Sequence, residues 1–287
     1  MPCLIRYIPV SRSNARPDAP PDRAADTLSA ASRFEPPNGV YCVFATWHGL
    51  RVVCLTRHLD RLEDSAARAG FSLKLDRDHL REHLRGMIRD SGFNEVRIRI
   101  SAAPGSPFLM VSIEPYDGPP EVLRRSGVHC ATVPHAPRKN PEAKQTRWLL
   151  ERAGLETGSA DVYEQLLVDE AGRILEGASS NFYVVCADPD GEPGSMILQT
   201  ADTGILPGIS RAIVMNVAPE ILKVRLEPPL ISEREAFVES FLTSASRGVV
   251  PVVAIDDQPV GSGRPGPVTA RLTESYDRKA EGMEEAL

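Results

Sequence analysis

Residues 162–200 read VYEQLLVDEAGRILEGASSNFYVVCADPDGEPGSMILQT. Three apolar runs, VYEQLLVD, NFYVVCA and SMILQT, are separated by the turn-rich texts DEAGR and DPDGEPG, with no helix-strand alternation of the doubly wound kind. Successive strands joined by turns predict a mostly antiparallel sheet or barrel in the second half of the chain. Helices are expected to interrupt it at about residues 143–152, 208–217 and 268–279.

Working outward, VRIRISAA and FLMVSIEPY flank PGSP and also read as strands, and the N-terminal LIRYIPV is a further candidate. VYCVFATW, HGL and RVVCL from Val40 carry a hairpin signal. Two helices follow. The first, at about residues 56–69, puts Leu59, Leu62, Ala66 and Ala69 on one stripe and stops at Gly70; the second, at about 77–90, does the same with Leu80, Leu84, Met87 and Ile88 before Gly92. Residues 11–38, rich in Pro, Ala, Ser, Asp and Arg, are expected as an irregular surface segment. YDGPPEVLRRSG breaks the pattern near residue 118. The expectation is a mixed α/β (α+β) chain with a small α/β domain over 1–118 and a larger barrel-like domain over 119–287.

The 287 residues are 42% apolar and 25% charged, an ordinary globular composition. A net charge of −6 offers no general attraction for nucleic acid or an anionic membrane, so any phosphate must be met locally. No run has the length of a membrane span. The five cysteines are scattered, with no C-x-x-C pair or metal-ligand spacing, and read as reduced thiols. The cytoplasm is the expected compartment, with no metal.

Chemistry is suggested by residues far apart in the chain. Lys144 sits in RKNPEAKQTRWLLERAG, where Trp148, Leu149 and Leu150 suggest one buried face. A lone lysine is usually a solvated charge, but one that is desolvated or near a second positive centre becomes a nucleophile toward a carbonyl. Glu176, between a strand and the apolar Asn181–Cys186 run, is the candidate carboxylate for a protonated pyridine nitrogen. GILPGISRAI at 204–213 places Gly208, Ile209 and Ser210 at a helix start after Pro207, where main-chain N–H groups can cradle a phosphate. Arg61 lies at the edge of the first helix's apolar stripe, within reach of an anion. FLTSASRGVVPV adds Thr243, Ser244 and Ser246 at a strand end.

In this order and spacing, RHLDRL, EAKQTRWL, LEGASSNFYVV, ILPGISR with FLTSASRGVVPV, and GSGRPGPVT resemble the class-IV aminotransferases, the fold-type IV pyridoxal 5'-phosphate (PLP) enzymes. That family includes branched-chain aminotransferase, D-amino acid aminotransferase and aminodeoxychorismate lyase. The resemblance implies that Lys144 forms a Schiff base with PLP and shuttles protons, and that Glu176 pairs with the ring nitrogen. It gives the phosphate to Arg61, the N–H groups of Ile209 and Ser210 after Gly208, and Ser244, and packs Leu206 against the ring. It also implies a homodimer.

Three departures bear on the site. Ala245 stands where many members place a threonine, leaving Ser244 or Ser246 to substitute. No tyrosine follows the lysine by a turn, as in branched-chain enzymes. VRIRISAAPGSP lacks the Arg-x-His pattern of the D-amino acid enzymes, so Tyr41, Arg97 and Arg99 are the local candidates for a substrate carboxylate. Alternation puts Arg97 and Arg99 on one strand face, where a solvated face is the bland expectation. The leading function is transfer of an amino group between a small amino acid or amine and a keto acid. The alternatives are a lyase-type elimination of pyruvate from an aminated chorismate, and a non-catalytic binding protein.

Overall fold

The computed structural model describes residues 2–12, 19–134, 138–155 and 161–287. In chain order the strands are β1 Cys3–Pro9, β2 Arg23–Ala25, β3 Val40–Ala45, β4 Arg51–Val53, β5 Val96–Ala102, β6 Phe108–Pro115, β7 Val128–Pro134, β8 Glu164–Val168, β9 Ile174–Gly177, β10 Asn181–Ala187, β11 Met196–Gln199, β12 Lys223–Arg225, β13 Glu239–Ser244, β14 Gly248–Ile255, β15 Gln258–Pro259 and β16 Glu284–Ala286. The helices are α1 Leu55–Arg68, α2 Arg77–Ser91, α3 Glu121–Ser126, α4 Arg147–Ala153, α5 Ile209–Val217 and α6 Pro267–Glu281. None among the described residues is long and apolar enough to cross a membrane.

The chain forms two compact units. The first is Met1–Gly118 with Ala143–Ala153 and Met283–Leu287; the second is Pro119–Glu142 with Gly154–Gly282. Two stretches beyond residue 118, one of them carrying Lys144, therefore belong with the first unit.

In the first unit β2, β1, β6, β5 and β3 make one antiparallel sheet. One face, with Cys42, Phe44, Ile98, Ile100, Val111 and Ile113, packs on the stripes of α1 (Leu59, Leu62, Ala66) and α2 (Leu80, Leu84, Met87, Ile88). The helical period of those residues is the reason both helices lie flat on the sheet. The hairpin expected from Val40 forms only at its turn. Trp47 and Arg51 exchange main-chain bonds across the turn, but β3 pairs with β5 and β4 pairs with β16 from the C-terminal end. The tail supplies what the local sequence lacks at the start of α1: Glu285 accepts from Thr56 N at 3.1 Å, where no residue of the helix's own N-terminus caps it.

The opposite face is covered by residues expected to be a surface loop. Within 11–38, residues 13–18 lie outside the described residues, but β2 and a 3-10 helix, Ala30–Phe34, are ordered. Ala25, Leu28 and Ala31 are buried against Cys3, Ile5 and Met110. Two side chains grip Leu28: Glu114 accepts from its N–H at 2.6 Å and Arg99 donates to its carbonyl at 2.8 Å. Proline and alanine hid this segment because its burial comes from a distant strand rather than from its own period.

In the second unit the expected strands 162–200 are β8 to β11. The order β10, β13, β14, β7, β8, β9 closes on itself through the β9–β10 pair Glu176↔Asn181, giving a six-stranded barrel. Three of the unit's pairings, β7–β8, β7–β14 and β11–β12, are parallel, so the sheet is mixed although antiparallel pairs dominate. The GSGRPGPVT stretch leads into α6, whose first N–H groups, Val268 and Thr269, donate to Glu239 at 3.0 and 2.7 Å. A side chain on Gly266 would overlap that carboxylate, its Cβ falling 2.1 Å from Glu239 Cδ.

Leu62 is fully buried between α1 and the sheet. Leu62→Ala is expected to cost about 2–5 kcal/mol in denaturant unfolding, through lost burial and the cavity left behind.

Candidate active site

Each unit carries part of the expected set. In the first, residues 144–146 run along the free edge of β3. Tyr41 N donates to Lys144 O at 2.8 Å, Thr146 N donates to Gly39 O at 2.9 Å, and Val40 faces Gln145. Lys144 N in turn donates to Ser65 Oγ of α1 at 3.2 Å. The lysine main chain is thus clamped between a strand and a helix, although the regular helix expected from residue 143 begins only at Arg147. Its Nζ lies 4.8 Å from the Tyr41 ring centroid, and Tyr41 is almost fully buried.

His58, Arg61 and Ser65 follow one another at helical spacing on α1, so the arginine shares the face that holds the lysine. The two cations make themselves felt on their neighbours. Burial holds the His58 imidazole well below its usual range, and Arg61 and Lys144 push it further the same way. Burial raises the Cys42 thiol to about 12, against the pull of Arg61 and Lys144. His58 is therefore neutral.

Arg97 and Arg99 share a face of β5 as the alternation predicts, but it is not a solvated face. Arg97 Nε donates to Glu114 Oε1 at 2.7 Å and its guanidinium lies over the Tyr116 ring. Arg99 is 2% exposed and ion-paired with Glu35 at 2.6 Å. Arg99 fastens Leu28 and Glu35 to the sheet, and Arg97 pairs with Glu114, which accepts from Leu28 N. Of the three substrate candidates, only Tyr41 is beside the lysine.

In the second unit Glu176 is 3% exposed at the barrel-closing pair. Arg138 Nε donates to its Oε1 at 2.8 Å, and Leu206 N donates to its Oε2 at 3.0 Å. Asn181, the other half of the closing pair, donates from Nδ2 to Leu206 O at 2.9 Å. The closure thereby holds the loop before α5 from both sides of one residue. Gly208 comes so close that an added Cβ would stand 2.1 Å from Asn181 Oδ1. Helix α5 begins next, and its N-cap Gly208 has no side chain to cap the N–H groups of Ile209 and Ser210, the kind of helix start that can receive an anion. Ser210 Oγ itself accepts from Tyr276 at 2.9 Å.

Helix α5 packs against β13, the strand that ends in Ser244. Ser244 Oγ accepts from Arg247 Nε at 2.7 Å, and Thr243 Oγ1 is 3.1 Å from the Tyr183 hydroxyl. Ala245 offers no hydroxyl. Sequence reasoning missed Arg138, Asn181, Tyr276 and Arg247. Asn181 was visible as the polar residue opening an apolar strand; the others contact the site only through the folded barrel.

Each unit's share suits part of PLP: in the second, a buried carboxylate for a ring nitrogen and a helix start at a glycine; in the first, a clamped lysine on the helix face that carries Arg61. Among the described residues no group of three or more His, Cys, Asp or Glu is arranged to hold a metal.

Replacing Arg138 with methionine breaks a buried ion pair and is expected to destabilise the protein by roughly 3–5 kcal/mol in denaturant unfolding. The His58 effect has a definite sign. The unfolded chain binds a proton near pH 6.5 and folded His58 only well below it, so stability is intact above about pH 6.5 and falls as the pH drops from there. Unfolding titrations at about pH 7 and about pH 5 should show a shallower loss for His58→Leu than for the parent.

A family model described as amino-transferase class IV matches residues 43–255. The "Branched-chain-amino-acid aminotransferase-like protein 2" of Arabidopsis thaliana is 29% identical over 262 residues, covering 83% of this chain, which spans about half (46%) of that relative's length. The "D-alanine aminotransferase" of Bacillus licheniformis is 28% identical over 250 residues, covering 82% of this chain and 85% of its own. A solved structure of the T.th. branched-chain amino acid aminotransferase, with pyridoxamine 5'-phosphate, superposes with a TM-score of 0.75 at 22% identity, covering 99% of this chain and 98% of its own, and shares the fold. By the extent of the family match, together with the closed barrel and the glutamate at its seam, the chain belongs to the class IV aminotransferases, PLP-dependent enzymes of fold type IV.

Proposed function

We propose that this protein moves an amino group between a small amino acid and a keto acid, with Lys144 as the residue that carries the cofactor and handles the proton. The clamped lysine beside Tyr41 is the observation that carries the reading. PLP, when bound, supplies an aldehyde for amine exchange and a ring that accepts the electrons of a carbon acid.

The chain's own groups do the rest. The Lys144 amine would take a proton from the substrate α carbon and deliver it, across the nitrogen, to the carbon that had carried the cofactor's aldehyde oxygen. Its main-chain clamp fixes the stem of the side chain, and the Tyr41 ring lies along its end. Glu176, held by Arg138 and Leu206 N, would accept a hydrogen bond from the ring nitrogen and stabilise its positive charge. The N–H groups of Ile209 and Ser210, the Ser244 hydroxyl and the Arg61 guanidinium hold the phosphate. Leu206 would pack on the ring, and Gly208 lets the helix start lie close against Asn181.

The curated relatives above are named for branched-chain and D-alanine transamination, which supports a small amino acid as donor. We further infer a homodimer in a reducing, cytoplasmic setting, where all five free cysteines are at home.

PLP added to purified protein should give the absorbance of a lysine-bound cofactor, and Lys144→Ala should abolish it. The same substitution should lower the rate of amino transfer by roughly 10²–10⁴-fold, the usual contribution of a positioned acid or base. A parent protein that leaves the PLP spectrum unchanged overturns the reading. A panel of L and D amino donors with keto acceptors, scored by conversion of the bound cofactor to its amino form, identifies the substrate.

A further inference from the structure

A buried charge pair lies beside the proposed phosphate site. Arg247, in the turn that follows Ser244, has a side chain 16% exposed, and Glu164 on β8 one that is 4% exposed; they meet at 2.7 Å. The guanidinium donates to Glu164, Ser179 and Ser244, with Tyr163 as a further side-chain neighbour. Nη1 donates to Glu164 Oε2 at 2.7 Å, Nη2 to Ser179 Oγ and O at 2.9 and 3.2 Å, and Nε to Ser244 Oγ at 2.7 Å. Glu164 Oε1 accepts from Ser179 N at 2.6 Å, Ser179 Oγ at 3.1 Å and Ser180 Oγ at 2.8 Å. The Tyr163 ring lies 5.5 Å from the guanidinium carbon.

This network joins two turns. One, residues 177–180, follows Glu176 and closes the barrel; the other, residues 244–247, follows β13. Gly177 permits the approach, since a Cβ there would stand 2.6 Å from Glu164 Oε1 and 2.3 Å from Ser180 Oγ.

The hydroxyl of Ser244 is the informative member. It has one hydrogen and two lone pairs, and an arginine can only donate. With Arg247 Nε occupying a lone pair, the hydroxyl hydrogen must point away from the guanidinium. Beside it, Thr243 is engaged with Tyr183 and Ala245 has no hydroxyl.

We propose that the Arg247–Glu164 pair is a positioning device that locks Ser244 as a hydrogen-bond donor toward the cofactor phosphate. The pair has no net charge, so it orients the hydroxyl without acting as the anion's counter-ion. Burial works against the charged forms on both sides, yet each partner and the surrounding serines more than offset it: Glu164 sits below its usual range and Arg247 above. The inference rests on the PLP reading above.

The test compares PLP with pyridoxal, which lacks the phosphate, by spectral titration of the full chain. The variants are Ser244→Ala, the double variant Arg247→Met/Glu164→Gln, which leaves no buried lone charge, and all three substitutions together. Thermal melting is followed in parallel. The parent is expected to prefer PLP, with Ser244→Ala and the double variant each weakening PLP by roughly tenfold, as for one hydrogen bond to a charged group, and leaving pyridoxal unchanged. The triple variant should lose no more than either.

Equal loss of PLP and pyridoxal, additive losses, or no loss at all overturns the proposal. If the double variant does not fold, Arg247→Lys keeps a cation near Glu164 but lacks the Nε donor, and should show the same phosphate-selective loss. A parent that binds neither ligand instead overturns the PLP reading itself.

Discussion

The pairing of Glu176 with Asn181 is the contact on which the second unit depends. It is the register pair that joins β9 to β10, and without it the six strands would be an open sheet with two edges. The same two side chains reach Leu206 from either side, Glu176 at its N–H and Asn181 at its carbonyl. Closure of the barrel and placement of the helix start at Gly208 are therefore one event. A loop held at both of its main-chain groups has little freedom left, which suits an anion cradle whose donors must be aimed before the ligand arrives.

A second device of the same kind operates in the first unit. Leu28 is gripped at N–H and carbonyl by Glu114 and Arg99, which fastens residues 23–35 over the polar face of the sheet. Lys144 is gripped at N–H by Ser65 and at carbonyl by Tyr41. In each case a residue without regular secondary structure has both main-chain groups satisfied by neighbours remote in sequence. Buried polar groups demand partners, and the fold meets that demand at the places where an irregular segment must be held still.

The family assignment speaks against a purely binding role, and the names of the relatives favour amino transfer over elimination. The class IV match runs through both units, from residue 43 to residue 255, and the curated relatives are named as aminotransferases. Elimination and a purely binding role have no observation in their favour.

Local pattern was sufficient for much of this protein. The stripes of α1 and α2, the strands at 96–115 and 162–199, and the helix after Pro207 were all legible, because each depends on periodicity or on a glycine or proline at a boundary. The order of motifs also marked Lys144, Glu176 and Gly208 as the candidate site residues. The hairpin at 40–53 extends no further than the Trp47–Arg51 bridge, and part of the expected surface segment 11–38 is buried on the sheet, because distant partners decide both. Strand partners are chosen by the energy of the assembled sheet, and β3 and β4 find better ones far along the chain, in β5 and β16. The roles of Arg97 and Arg99 were equally hidden, since alternation gives their face but not the carboxylates waiting on it. By itself the sequence determined most of the elements and the family order of motifs, and it singled out a lysine and a glutamate as candidates. Only the tertiary structure decided which groups hold them, Arg138, Ser65, Tyr41 and Arg247 among them, because a hydrogen bond between residues remote from each other leaves no periodic trace in the chain.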